Sequence, residues 1–229
     1  MLSAAAMPMP EPGPSLGRKW IKANAIAAVV YGAIAALTFA ADGLLGTNPS
    51  VLARSVAAAI TFAGPVVNLG AYAVLTGAVL GEALPALSRR GWIALHVLIG
   101  ATVGSVLAAA HLFGGDASVR APAPLPTDRT MLIGGALAIG IIAPFLGALM
   151  GSLQALVLRP AARGLGVWIA CSTVASSTFF AALLGAAFLA AGQSSMPVQL
   201  LAMEAGLVAG LMVAALMLLL AVKRLAPRA

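Results

Sequence analysis

Six long apolar runs, almost free of Asp, Glu, Lys and Arg, constrain this chain more than any other feature. They fall at roughly 23–41, 54–82, 92–113, 131–157, 166–191 and 198–222. Each approaches or exceeds the ~20 helical residues that cross a ~30 Å hydrocarbon core. In lipid every backbone N–H and C=O must be satisfied internally, so such runs form helices. The expected fold is therefore all-α, a polytopic bundle of six membrane spans. The second and fourth runs are long enough to tilt, kink or project.

Composition agrees. The chain is 62% hydrophobic and 8% charged, against about 25% charged in a soluble domain. A net charge of +7 would suggest a nucleic-acid partner in a soluble protein. Here it reflects basic residues flanking spans, so the lipid bilayer is the expected partner and nucleic acid is not. The abundance of Ala, Gly and Arg points to a bacterial inner membrane.

Orientation follows from where the basic residues lie. With the N-terminus inside, the inner segments hold Arg18, Lys19, Lys22, Arg89, Arg90, Arg159, Arg163, Lys223, Arg224 and Arg228. The outer segments hold only Arg54, Arg120 and Arg129. The positive-inside rule then gives N-in and C-in. Trp20, Trp92 and Trp168 fall near the inner ends, where interfacial anchors are expected.

The proline-rich residues 1–17 read as a disordered cytoplasmic tail, and 18–229 as one membrane domain. A leader cleaved after Ala40 would leave five spans, but its basic segment begins far from Met1. The outer loop 114–130 carries "APAPLP", a stiff, extended spacer. It divides the chain into halves of three spans with opposite orientations, as in inverted-repeat transporters. A second repeat links Gly77, Gly81 and Arg89 to Gly147, Gly151 and Arg159 at an offset of 70 residues.

Polar residues inside the runs are the functional candidates. Glu204 lies about two turns into the last span, and an ionisable residue there marks a pathway by default. Arg54 and His111 lie near the same face and are its expected partners. "FAGPVVNLGAY" puts Pro65 and Asn68 near mid-membrane, and Pro144 interrupts the fourth span. Interrupted spans point to substrate sites in transporters. Glu204, His111, Arg54 and Asn68 are thus expected to form a substrate or proton pathway.

Gly147, Gly151 and Gln154 share a helix face. Small residues four apart let helices approach, and a polar side chain can hydrogen-bond across the contact. Gln154 is expected to meet Cys171 and Ser172, making Gly147, Gly151, Gln154 and Ser172 a packing seam. The hydroxyls of "CSTVASSTFF" can satisfy themselves on their own helix.

No enzyme motif appears: no His-Glu-x-x-His, no P-loop, no Gly-x-Ser-Gly. His96 and His111 are ~22 Å apart along one helix and cannot share a metal or haem. The single Cys171 excludes a multi-cysteine site. The expectation is a non-enzyme without cofactor or metal.

The pattern GxxxGxxQxLVLR at Gly147–Arg159, followed by "WIACS", resembles a cytoplasmic hairpin in a loose group of uncharacterised bacterial multi-pass membrane proteins. That resemblance implies no activity. The six-span size also resembles the substrate-binding components of energy-coupling-factor importers, which dock partner subunits through a small-residue face on their first span. Ala28, Gly32, Ala36 and Ala40 form such a face here. Two functions are therefore expected in order. The first is a small-solute carrier or solute-binding membrane component. The second is a non-catalytic subunit or scaffold, associating with itself or other subunits through Gly/Ala faces.

Overall fold

The computed structural model describes residues 14–45, 50–113, 129–191 and 196–227. Its helices are α1 (Pro14–Leu45), α2 (Val51–Ala83), α3 (Arg89–Phe113), α4 (Arg129–Leu137), α5 (Ala143–Leu158), α6 (Leu165–Ala191) and α7 (Met196–Arg224). A π-helical segment, Ala138–Ile142, joins α4 to α5, so these two make one span. Among the described residues, six helical stretches are long and apolar enough to cross a membrane. The all-α multi-pass architecture is thus as expected, with somewhat longer helices. Most of the proposed tail and the proline spacer fall outside the described residues. Helix α1 already begins at Pro14, so 14–17 are helical rather than tail; proline tolerates a helix's first turn because its missing N–H has no partner there.

The outside of the bundle is apolar. Phe113, Val51, Leu52, Leu189, Leu201 and Phe145 are all exposed. In water such a surface would aggregate; in lipid it needs no cover.

Helices pack in the order α3–α2–α1–α7–α6–α5, closing into a ring through a contact between α3 and α5. Exchanging α1 with α5, α2 with α6 and α3 with α7 maps this neighbour order onto itself. The two three-span halves are therefore topologically equivalent. Their two mutual seams are α1–α7 and α3–α5, and these are not equally tight. The α1–α7 seam closes along its length: Gly17 faces Leu219, the Trp20 indole N–H donates to Ala215 O at 2.9 Å, and Gly32 faces Glu204. The contacts joining α3 to α5 are at one end, where Gly91 faces Val157 and His96 meets Gln154.

Close helix pairs form where side chains are absent. A Cβ on Gly100 would sit 2.6 Å from Pro65 O, and one on Gly147 would sit 2.6 Å from Ser172 O. Pro65 is held within continuous α2, while Pro144 follows the π turn. A proline ring crowds the carbonyl four residues back, and a π turn relieves that crowding.

One end of the bundle carries the N-terminus of α1, the α2–α3 and α5–α6 turns, and the C-terminus of α7. This basic end is stitched by a short antiparallel pair, β1 (Ala162–Arg163) with β2 (Ala226–Pro227). Gly164 beside it has φ +83°, and a Cβ there would lie 2.9 Å from Arg224 O, so only glycine fits. Lys19 pairs with Glu82 across α1 and α2, half-exposed on both sides.

Candidate functional site

The basic end is filled by three tryptophans from three different helices. Trp20, Trp92 and Trp168 are each 0% exposed. Trp168 makes edge-to-face contacts with Trp20 (ring centroids 6.5 Å apart) and with Trp92 (6.0 Å). The interfacial-anchor reading is thereby corrected: the rings point inward. An indole N–H can be buried when it finds an acceptor, and each one does. Trp20 donates to Ala215 O, Trp92 to the Thr76 hydroxyl at 3.2 Å, and Trp168 to Gln154 Oε1 at 3.0 Å.

Gln154 is the hub. Its amide nitrogen lies 3.0 Å from His96 Nε2, and His96 Nδ1 lies 2.8 Å from Trp92 O. A carbonyl oxygen only accepts, so Nδ1 carries the proton and bare Nε2 accepts from the amide. The amide oxygen is then free to accept from Trp168. Every member has one consistent role with a neutral imidazole, and the network fixes both the tautomer and the amide orientation. Tyr72 and Trp92 flank the imidazole, with centroids at 5.4 and 4.5 Å.

Gln154 therefore bridges α5 to α3 and α6, but not to the expected partners. Cys171 and Ser172 lie one turn further from the basic end. Ser172 faces Gly151, where a Cβ would lie 2.7 Å from its own Cβ. The indole of Trp168 reaches the amide from one turn nearer the basic end.

Above this layer lies a central cavity of about 480 Å3, lined from all six spans. This is within the roughly 300–1,000 Å3 of small-molecule sites. Gln154, Asn24 and Tyr72 line it near the tryptophan layer, and Phe179 and Phe180 line it further up. Among the described residues, no Asp, Glu, Lys, Arg or His lines it.

Two polar groups in its walls lack partners. Asn68 on α2 is 8% exposed and Ser172 on α6 is 7% exposed, and neither Asn68 Oδ1 nor Ser172 Oγ has a hydrogen bond. Thr38, Thr76, Thr102, Ser152, Thr173 and Ser177 all donate to the carbonyl four residues back. Ser172 does not. A buried polar group left unsatisfied costs about 1–3 kcal/mol. Thr61 Oγ1 is a third such group, but it is not in the lining.

Of the expected pathway residues with described side chains, Asn68 alone lines the cavity. Glu204 sits across α1 from Gly32, where a Cβ would lie 2.8 Å from its Oε2. Gly64 on α2 faces Ile34 and Thr38 of α1. Asn68 is thus near the depth of Glu204, and Arg54 is about 20 Å away along the helix. The expected Glu204–Arg54 pairing does not form, because the two lie at different depths. His111 is in the last turn of α3, and its side chain lies outside the described residues. The packing residues Gly147, Gln154 and Ser172 line the cavity instead. Of the expected small-residue face on α1, Ala28 and Gly32 are buried within the chain, Ala36 is exposed, and the side chain of Ala40 lies outside the described residues.

Sequence reasoning took Trp92 as an interfacial anchor, weighed His96 only as a metal or haem ligand, and did not single out Tyr72. One signal was available: Trp92 and His96 are four apart on one helix face, level with the other two tryptophans. Compared with protein-family models, with curated proteins and with solved structures, the chain matches none.

Proposed function

We propose that this chain is a small-solute carrier, or the solute-binding membrane component of one, seated N-in and C-in in a bacterial inner membrane. The single observation behind this reading is the central cavity between two topologically equivalent halves, with unpartnered Asn68 and Ser172 in its walls. A structural scaffold gains nothing from setting polar groups without protein partners in the wall of a cavity. The unequal seams support the carrier form. One half-to-half contact is closed along its length and its counterpart is joined at one end only, the asymmetry an alternating carrier needs. The orientation rests on the Lys and Arg distribution alone, since the tryptophans face inward.

Glu204 lies outside the cavity, so its proposed role is in coupling rather than in holding solute. An intramembrane carboxyl that exchanges a proton can bias a transport cycle from such a position.

A second reading, as a non-catalytic subunit, draws on the α4 flank. Gly134 and Gly140 have nothing within 4 Å of where a Cβ would be, which leaves room for another helix. Native mass spectrometry after gentle extraction from the source membrane separates the two. A small molecule bound to an otherwise lone chain is the expected result. A stoichiometric protein partner with an empty cavity overturns the carrier reading in favour of the subunit.

A further inference from the structure

We propose that the cavity takes an uncharged amphiphile from the lipid phase, with its hydrogen-bonding head between Asn68 and Ser172 and access between α3 and α5. This rests on the reading of the cavity as a solute site and adds the class of solute and its route.

The head group follows from what is uncommitted. Near the tryptophan layer, both polar atoms of Gln154 are already bonded, and Asn24 donates to Trp20 O. The fully buried polar atoms of the lining that have no bond lie one layer up. Neither Asn68 Oδ1 nor Ser172 Oγ has a hydrogen bond to a described residue. Both residues line the same cavity, one from α2 and one from α6. An amide presents both an acceptor and donors, and a hydroxyl does the same. A hydroxyl or primary amide head complements them. A carboxylate, phosphate or ammonium does not, because no described lining residue carries a compensating charge and a desolvated ion needs one.

The body and the route follow from the walls. Beyond the His96–Gln154 bridge, α3 and α5 part. Val103, Leu107 and Leu146 line the cavity there, yet each is 42–45% exposed on the bundle's flank. In a membrane-spanning bundle a mid-helix flank faces acyl chains, not water. A molecule already dissolved in the bilayer reaches the cavity through this gap without crossing the tryptophan layer. Leu146, Phe179, Phe180 and Leu211 then surround its apolar part.

The test uses the full chain in lipid nanodiscs and a decanol bearing a mid-chain diazirine. Photolabelled peptides are mapped by mass spectrometry, with unlabelled decanol as competitor. Saturable labelling of α2 and α6 is expected, at least tenfold weaker for the same-length carboxylate. Asn68→Leu, in monodisperse protein, should lower saturable labelling about tenfold. Val103→Trp, at the lipid-facing mouth and away from the polar pair, should slow labelling several-fold. Labelling that is unsaturable, or equal for alcohol and carboxylate, overturns the proposal. So does labelling unchanged by both variants. If native mass spectrometry finds a water-soluble solute and decanol fails to label, the amphiphile class falls and the carrier reading stands. If neither finds an occupant, both fall.

Discussion

Gln154 on α5 holds His96 on α3 through a 3.0 Å hydrogen bond, and this bridge ties the two halves together on the side where they otherwise part. The same amide accepts from Trp168 on α6. Replacing it with leucine leaves a ring nitrogen and an indole N–H buried without partners. Gln154→Leu should destabilise the bundle by about 1–3 kcal/mol. Hydrogen bonds in membrane proteins often contribute less, on average ~0.6 kcal/mol, so unfolding in bicelles should include His96→Phe and the double variant. A double variant no worse than Gln154→Leu alone is expected. Strict additivity would mean the two residues act independently.

Glycines with and without neighbours should respond oppositely to a methyl group. Gly151→Ala pushes a Cβ to 2.7 Å from Ser172 Cβ and 3.1 Å from Ile169 Cα. Overpacking of this kind costs about 1–3 kcal/mol. Gly134→Ala meets nothing within 4 Å and should be neutral or stabilising by up to ~1 kcal/mol, the ordinary helix preference for alanine. Thermal unfolding of the two variants side by side checks the contrast. A destabilised Gly134→Ala would reveal a packing partner on that flank.

Glu204→Gln separates binding from coupling. The carboxyl packs against α1 outside the cavity, so solute binding should stay within about twofold, well under the tenfold that 1.4 kcal/mol represents. Uptake into proteoliposomes should fall at least tenfold. Loss of binding together with uptake would move Glu204 into the solute site.

The α3–α5 gap should be the moving seam. In a Cys171→Ala background, cysteines at Val103 and Leu146 joined by a bifunctional reagent should cut uptake at least tenfold, with recovery on reductive cleavage. Uptake unaffected by the cross-link would place the route elsewhere.

Orientation has its own test. Ala86 is exposed in the α2–α3 turn at the basic end. Ala86→Cys, again without Cys171, should react with an impermeant thiol reagent in inside-out vesicles and not in right-side-out ones. The reverse pattern would invert the assignment made from Lys and Arg.

The helices were legible because lipid leaves one solution for a long apolar run, and periodicity is not needed to see it. The glycine contacts were half legible. Gly147 and Gly151 at i and i+4 announced a close approach, but not the register of the partner helix. The site was legible least. Asn68, Gln154 and Ser172 are separated by 86 and 18 residues, and only the ring order of the helices brings them to one cavity. Glu204 drew attention because charge is conspicuous in lipid. The tryptophans misled for a related reason: a belt position and an inward-facing plug sit at the same depth, and sequence gives depth more readily than direction.

The seam between the first and last helices bears on how the protein is made. Spans enter the bilayer in order of synthesis, so α1 is inserted long before α7 exists. Until then the indole of Trp20 lacks its acceptor at Ala215, and the Gly32 surface lies open to lipid. Five inserted helices form a trough rather than a closed ring, with the polar Asn68 and Ser172 facing the membrane. The arrival of α7 is therefore the step that gives the Trp20 indole its acceptor and covers the Gly32 surface.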